Sequence, residues 1–358
     1  MAKYSISCGG TGGHVFPGMA TGVALQKSGH EVALWLSGKA IEAATRHAWT
    51  GEVIKIEAAK ISFHPLCLPL TLFTVIRAFR ASVKALRAQQ PQALLAMGSY
   101  SSLGPVLAAR YLKIPVILHE ANVIPGKAVS VLSRFAAAVA ITFPETRHYL
   151  KHKNIILTGL PLRKQMEDTA AIPTAIPDPF TVLTMGGSQG AQSLNEMVPI
   201  ALGLLREAGI PVAAIHLSGE KAKPAVEEAY RKAGVPATVY GFCSDMVSVY
   251  RKTSLAISRS GANSCLELAL FGIPAILIPL PSSARDHQKA NAQAMLAAGA
   301  AILLEQAALT PDRLAENLRT LAANPLEMAC MRTRAKALAS TGAAESLADL
   351  IVKVGGSR

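Results

Sequence analysis

Two stretches of the same design decide the fold. Lys3–Thr21 reads KYSISCGGTGGHVFPGMAT, and Phe180–Val198 reads FTVLTMGGSQGAQSLNEMV. In each, a short apolar run ends in a glycine-rich turn and a helical pattern follows. The two turns begin at Gly9 and Gly186, about half the chain apart, so the chain reads as two similar α/β domains in series. Outward from the first turn, strands are expected at Tyr4–Ser7, Glu31–Leu36, Val53–Ile56, Ala93–Met97, Pro115–His119 and Ala138–Ile141. Helices are expected around Gly18–Ser28, Leu72–Gln89, Leu103–Tyr111 and Lys127–Arg134. This alternation implies right-handed βαβ units and parallel sheets. TAAIPTAIPDPF (169–180) carries three prolines and reads as a linker. After it come strands near 212–217, 237–240, 254–257, 275–279 and 300–304. A ligand is expected between the domains, beyond the carboxyl ends of the strands.

A glycine-rich turn between strand and helix lets backbone N–H groups approach an anion, and the helix N-terminus adds about half a positive charge. That suits a diphosphate; the bland alternative is a tight turn. The dinucleotide fingerprint G-x-G-x-x-G is not met, because Val15 stands at its third glycine. The second strand ends WLSGK with no acid for a ribose, which disfavours NAD. No ATPase-type phosphate loop occurs either. A nucleotide-sugar fits better. SRSGANSCLELALFGIPAILIP (258–279) sets Glu267 early in a helix, where a carboxylate can accept from a ribose diol or merely complement the helix end. RDHQKANAQAMLAAGAA (285–301) groups Asp286, His287, Gln288 and Asn291 at helical spacing, suited to sugar hydroxyls or to a solvated helix start.

Composition bounds the classes. Of 358 residues, 51% are hydrophobic and 16% charged, so a sizeable core is expected and global disorder is not. LALFGIPAILIPLP (268–281) is broken by Gly272, Pro274, Pro279 and Pro281, and reads as a buried strand rather than a membrane span. MAKYSISC enters a strand directly, with no signal segment, so a cytoplasmic location is expected. The net charge of +13 suits polyanions. With 5% aromatics and dispersed cations, membrane surface and phosphates are favoured and nucleic acid is not. Five scattered cysteines with no C-x-x-C pair are expected to be reduced and mostly buried. ISFHPLCLPLTLFTVIRAFRASVKALR (61–87) sets Leu66, Leu68, Leu70, Leu72, Phe73, Ile76 and Phe79 before Arg77, Arg80, Lys84 and Arg87. An apolar patch edged by cations fits docking on anionic lipid, or else a core helix with a solvated basic face.

GGTGGHVFPG, HEANVIPGKA, TGLPLR, MGGSQGA, SRSGANSCLEL and DHQKANA stand in the order seen in glycosyltransferase family 28. Over residues 4–300 the chain resembles its members that pass N-acetylglucosamine to a lipid-linked muramoyl-pentapeptide in peptidoglycan synthesis. The resemblance implies a GT-B fold, two Rossmann-like domains with parallel sheets facing across a cleft. Residues 1–160 would form the acceptor and membrane side, 161–340 the UDP-GlcNAc side. AAESLADLIVKV, within 341–358, would be a closing helix that crosses back to the first domain.

The resemblance also implies roles. Ser188, Gln189 and Gly190 would meet the donor phosphates, Arg163 would lie near the nucleotide, and the backbone around Cys243 in YGFCSDM would read the uracil edge. Glu267 would hold the ribose. His287, Gln288, Asn291 and the Ala262–Asn263 turn would meet the GlcNAc. Thr11, Gly12, Gly13, His14, Tyr100 and Asn122 would approach the reacting end. Two departures stand out. Ala121 sits where other members often carry a polar residue, and Asn263 and Cys265 sit where small hydroxyl or aliphatic residues are common.

The implied reaction moves GlcNAc from UDP-GlcNAc to the muramoyl 4-hydroxyl of lipid I, inverting the anomeric centre and forming lipid II. The acceptor hydroxyl must lose a proton and UDP must leave with added charge. His14 is the candidate base, its imidazole pKa of about 6.5 suiting neutral pH; its rival role is to position substrate, and Glu120 is the weaker alternative. No Asp-x-Asp triplet occurs, and neither metal nor cofactor is expected. Implied partners are UDP-GlcNAc, lipid I, the anionic cytoplasmic face of the inner membrane and other cell-wall synthesis proteins. The competing readings are a UDP-GlcNAc 2-epimerase, another lipid glycosyltransferase acting on diacylglycerol, and a nucleotide-sugar-binding scaffold without turnover.

Overall fold

The computed structural model describes residues 1–9, 12–38, 49–56, 68–170, 177–187 and 190–356. They form two compact units, one of Met1–Lys164 with Ser340–Arg358, the other of Gln165–Ala339.

In unit 1 the strands are β1 (Lys3–Ser7), β2 (Glu31–Leu36), β3 (Glu52–Lys55), β4 (Ala93–Ala96), β5 (Val116–Glu120), β6 (Ala138–Ile141) and β7 (Ile155–Leu157). Among the described residues they make one parallel sheet in the order β3-β2-β1-β4-β5-β6-β7. Chain direction along the sheet reverses between β1 and β4, so the carboxyl ends of these two strands flank the switch point. Unit 2 repeats the plan with β8 (Phe180–Met185), β9 (Val212–Leu217), β10 (Ala237–Tyr240), β11 (Leu255–Ser258), β12 (Ala275–Leu277) and β13 (Ala301–Leu303) in the order β10-β9-β8-β11-β12-β13. Its switch point lies between β8 and β11. Both sheets are buried on two faces, which is why β4, β6 and β11 read as short apolar runs without alternation.

Helix Gly12–Lys27 packs on one face of sheet 1 with the closing helix Ala343–Gly356, around Ile6, Leu25, Leu34, Leu347 and Ile351. Gly18 allows the close approach: a Cβ there would overlap the Cys8 thiol. This helix starts inside the first glycine turn, earlier than the expected Gly18, and holds Pro17. Proline removes only the one N–H bond it would donate, and packing on the sheet outweighs that loss. Helix Leu68–Gln89 starts earlier than expected too. β7 was not expected, because three residues carry no readable period.

Candidate functional site

In unit 1 the candidate residues collect at the carboxyl ends of β1, β4 and β5. Gly12, Gly13 and His14 are the first three residues of helix Gly12–Lys27, where backbone N–H groups have no partner within the helix. The His14 ring lies over Gly98, about 3.5 Å from where a Cβ on that glycine would sit. Gly98 and the following Ser99 both have left-handed backbone, φ 87° and 69°. Strain of this kind in a non-glycine residue marks a constrained site. It turns the chain so that the next residue, Tyr100, is partly exposed.

Glu120 ends β5, and its carboxylate closes the HEANVIPG loop. Oε1 accepts from the Asn122 backbone N–H at 2.9 Å and from Asn122 Nδ2 at 3.0 Å; Oε2 accepts from the Gly126 N–H at 2.9 Å. With both oxygens bonded within the loop and the side chain buried, Glu120 braces Asn122. The sequence reading missed His119, which is buried beside it. Its Nε2 lies 3.1 Å from the Gly159 carbonyl, so that nitrogen carries the proton. Nδ1 is buried and has no hydrogen-bond partner among the described residues. Burial pushes the His119 pKa down to about 4; the Gly159 carbonyl opposes this, and the charge of nearby His14 adds to it.

Arg163 also falls in unit 1, before the division at Lys164, and lies 5.6 Å over the ring of Phe16 in the first helix. Thr11 lies outside the described residues, as do Ser188 and Gln189 of the second turn.

In unit 2 the second glycine turn and the Ser258–Ala262 turn are neighbours across the switch point. Met185 pairs with Ser258, and the Arg259 N–H donates to the Met185 carbonyl at 3.1 Å. Arg259 clamps them: its guanidinium donates to the carbonyls of Ile278 and Pro279, to Ser193 Oγ and to Gln306 Oε1. Burial lowers its pKa, but four acceptors suit a retained charge. No motif in the sequence singled out Arg259.

Helix Ala262–Phe271 points its N-terminus out of this turn, with Ala262 and Asn263 as its first residues. Glu267 is held from below by the Tyr250 hydroxyl, which donates to Oε2 at 2.6 Å, so Glu267 is positioned by a side chain the sequence did not flag. Cys243 lines a cavity of about 280 Å³ with Tyr240, Phe242, Asp245 and Ser248.

The polar group at 286–291 is divided. Arg285 and Asp286 are left-handed, φ 56° and 55°, and deliver the chain into helix His287–Ala297. His287 Nδ1 lies 2.7 Å from the Ala284 carbonyl. Gln288 accepts from the Leu280 N–H at 3.0 Å through Oε1, and its backbone carbonyl accepts from Ser260 Oγ at 2.8 Å. Asn291, expected on the same open face, is fully buried, and its Nδ2 donates to the Ser260 carbonyl at 3.0 Å. Helical periodicity carried Asn291 beneath the turn, where it braces the backbone.

On helix Leu68–Gln89, Leu72 and Phe73 are 60% and 61% exposed, and Leu70 and Ile76 are exposed beside them. Arg77, Arg80, Lys84 and Arg87 are exposed along the same helix. Phe79 does not belong to this patch: it packs inward, edge-on to Tyr111 at 5.8 Å. Leu66 and the Leu68 side chain lie outside the description. Cys330 is exposed, against the expectation of mostly buried thiols, whereas Cys8 and Cys265 are buried.

Comparison with known proteins gives this geometry a family. The family 28 glycosyltransferase N-terminal domain matches residues 4–141, and the C-terminal domain matches 181–350. A Myxococcus xanthus protein named UDP-N-acetylglucosamine–N-acetylmuramyl-(pentapeptide) pyrophosphoryl-undecaprenol N-acetylglucosamine transferase is 33% identical, over 98% of this chain and 93% of its own length. The crystal structure of Acinetobacter baumannii MurG superposes with a TM-score of 0.80 at 30% identity, covering 98% of this chain and 99% of that one. A UDP-GlcNAc 2-epimerase from Neisseria meningitidis reaches a TM-score of 0.70 over 98% of this chain and all of its own, but at 15% identity, a likeness of fold alone. Both halves, the order of their motifs and the paired switch-point turns agree: the chain belongs to glycosyltransferase family 28.

Proposed function

We propose that this chain transfers N-acetylglucosamine from UDP-GlcNAc to the muramoyl sugar of a lipid-linked MurNAc-pentapeptide. The observation that carries this reading is the near-full-length likeness to transferases of that name, over both halves of the chain. The epimerase alternative shares only the fold. UDP release that requires a lipid I analogue tests the reading; release without acceptor refutes it.

The donor lies on unit 2. Its diphosphate meets the N–H groups of the second glycine turn, with Gly190 at its end and Ser188 and Gln189 inside it. The Tyr250-held Glu267 accepts from the ribose hydroxyls, the backbone near Cys243 reads the uracil edge, and the Ala262–Asn263 turn with His287 and Gln288 meets the GlcNAc. The acceptor lies on unit 1, where the first turn with His14, Tyr100 and Asn122 meets it. The acceptor 4-hydroxyl oxygen attacks the anomeric carbon as the bond to the UDP oxygen breaks. The hydroxyl proton passes to His14, and the configuration inverts. Helix N-termini and turn N–H groups stabilise the charge that builds on the leaving diphosphate.

The lipid acceptor requires access to a bilayer. No helix among the described residues is long and apolar enough to cross one. The exposed Leu70, Leu72, Phe73 and Ile76, edged by cations, support peripheral docking on an anionic surface at the cytoplasmic face. Replacing Leu72 and Phe73 together by Ser is expected to lower turnover of bilayer-embedded lipid I by about 10-fold or more, since each buried apolar side chain contributes about 1.5–3 kcal/mol. A short-chain soluble analogue should be processed as before. Equal losses on both acceptors contradict a docking role.

A further inference from the structure

A chain of hydrogen bonds inside unit 2 runs from helix Lys223–Ala233 to the second glycine turn. The Tyr230 hydroxyl lies 2.9 Å from His216 Nδ1, and His216 Nε2 lies 2.9 Å from Asn195 Oδ1. Asn195 Nδ2 donates to the Ser218 carbonyl at 3.0 Å. That carbonyl lies against Gly190, so closely that a Cβ on Gly190 would overlap it. Gly190 in turn donates its N–H to the Gly187 carbonyl at 3.0 Å. Tyr230, His216 and Ser218 are all buried.

The terminal acceptor fixes every proton. A carbonyl only accepts, so the Asn195 amide nitrogen faces Ser218 and Oδ1 faces the imidazole. Oδ1 only accepts, so His216 carries its proton on Nε2. The neutral ring then offers the Nδ1 lone pair to Tyr230, whose hydroxyl donates. Burial supports the neutral ring, pushing the His216 pKa down to about 4. Each group has one role, and reversing one breaks its neighbour.

We infer that His216 and Tyr230 are positioning residues for the nucleotide-sugar: through Asn195 and the Ser218 carbonyl they set the Gly190 end of the turn whose N–H groups receive the diphosphate. This rests on the reading of that turn as the donor phosphate site. Without the imidazole, Asn195 loses its orientation, the Ser218 carbonyl is released and the turn relaxes.

The test compares His216→Phe, Tyr230→Phe and His216→Gln with the parent chain. Readouts are the Kd for UDP by calorimetry, KM for UDP-GlcNAc, KM for a lipid I analogue, kcat and Tm. A glutamine amide reaches the Nε2 position and retains a donor for Asn195. His216→Phe is expected to weaken UDP binding and raise the UDP-GlcNAc KM about 10-fold or more, because a buried polar partner is left unsatisfied. Tyr230→Phe, which removes only the outer donor, should weaken UDP about 3-fold, a neutral hydrogen bond. Acceptor KM should not move, and His216→Gln should return UDP affinity to within about 3-fold of the parent, as one retained bond requires. Should His216→Phe not fold, Tyr230→Phe decides. Unchanged UDP affinity in the folded variants, or a glutamine variant no better than phenylalanine, overturns the inference. If Gly190→Ala also leaves UDP binding intact, the phosphate-site reading itself fails, which separates the two outcomes.

Discussion

His14→Ala is expected to lower kcat by about 10²–10⁴-fold while leaving the Kd for UDP unchanged, the loss typical of a removed general base. The argument is one of placement. His14 sits on the first turn of a helix that emerges from a glycine loop, with its ring over Gly98 at the end of β4. Gly98 and the strained Ser99 hold the opposing backbone, and Glu120 holds Asn122 on the loop after β5. Glu120, the weaker candidate, accepts hydrogen bonds from the Asn122 and Gly126 N–H groups through its two oxygens, which suits a bracing role in the loop. A base acts on the acceptor hydroxyl in the transition state, so its removal should fall on kcat and should abolish the acidic limb of the pH–rate profile. If His14 only positions substrate, the variant will show a raised acceptor KM with kcat and the acidic limb retained.

Gly190→Ala is expected to weaken UDP-GlcNAc binding by about 100-fold, combining the roughly 1–2 kcal/mol cost of a left-handed L-residue with displacement of the turn. Gly190 has φ 75°, and its missing side chain leaves room for the Ser218 carbonyl. Backbone on both sides of the overlap cannot rotate away as a side chain would. Gly187 gives the comparison: its φ of 85° is also left-handed, but a Cβ there meets nothing within 4 Å among the described residues. Gly187→Ala should therefore show the conformational penalty alone, a smaller rise in Kd. Equal Kd values for both variants would mean that the Ser218 contact does not shape the turn.

The fold was legible because its signal is redundant. Each half opens with an apolar strand, a glycine turn and a helix, and fully buried parallel strands stand out as short apolar runs. β7 and the true starts of helices Gly12–Lys27 and Leu68–Gln89 were not, since short elements and frayed ends are settled by packing rather than period. The candidate site was nominated from the sequence where a residue type announces its chemistry, as with His14, Glu267 and the glycine turns. It was illegible where function depends on what lies beneath. Nothing in sequence spacing says that Tyr250 holds Glu267, that Arg259 ties four acceptors together, or that Asn291 turns inward to Ser260. Phe79 shows the same limit: it sits among patch residues in the sequence, yet the helix rotates it towards Tyr111. These are long-range contacts, and only the closed fold creates them.

The most direct measurement is UDP release from UDP-GlcNAc by the purified chain, with and without a lipid I analogue, followed by identification of the sugar product. The account predicts release only with the analogue, and a product bearing GlcNAc on the muramoyl 4-hydroxyl with inverted anomeric configuration. UDP release without acceptor, or conversion of UDP-GlcNAc to its 2-epimer, would contradict it.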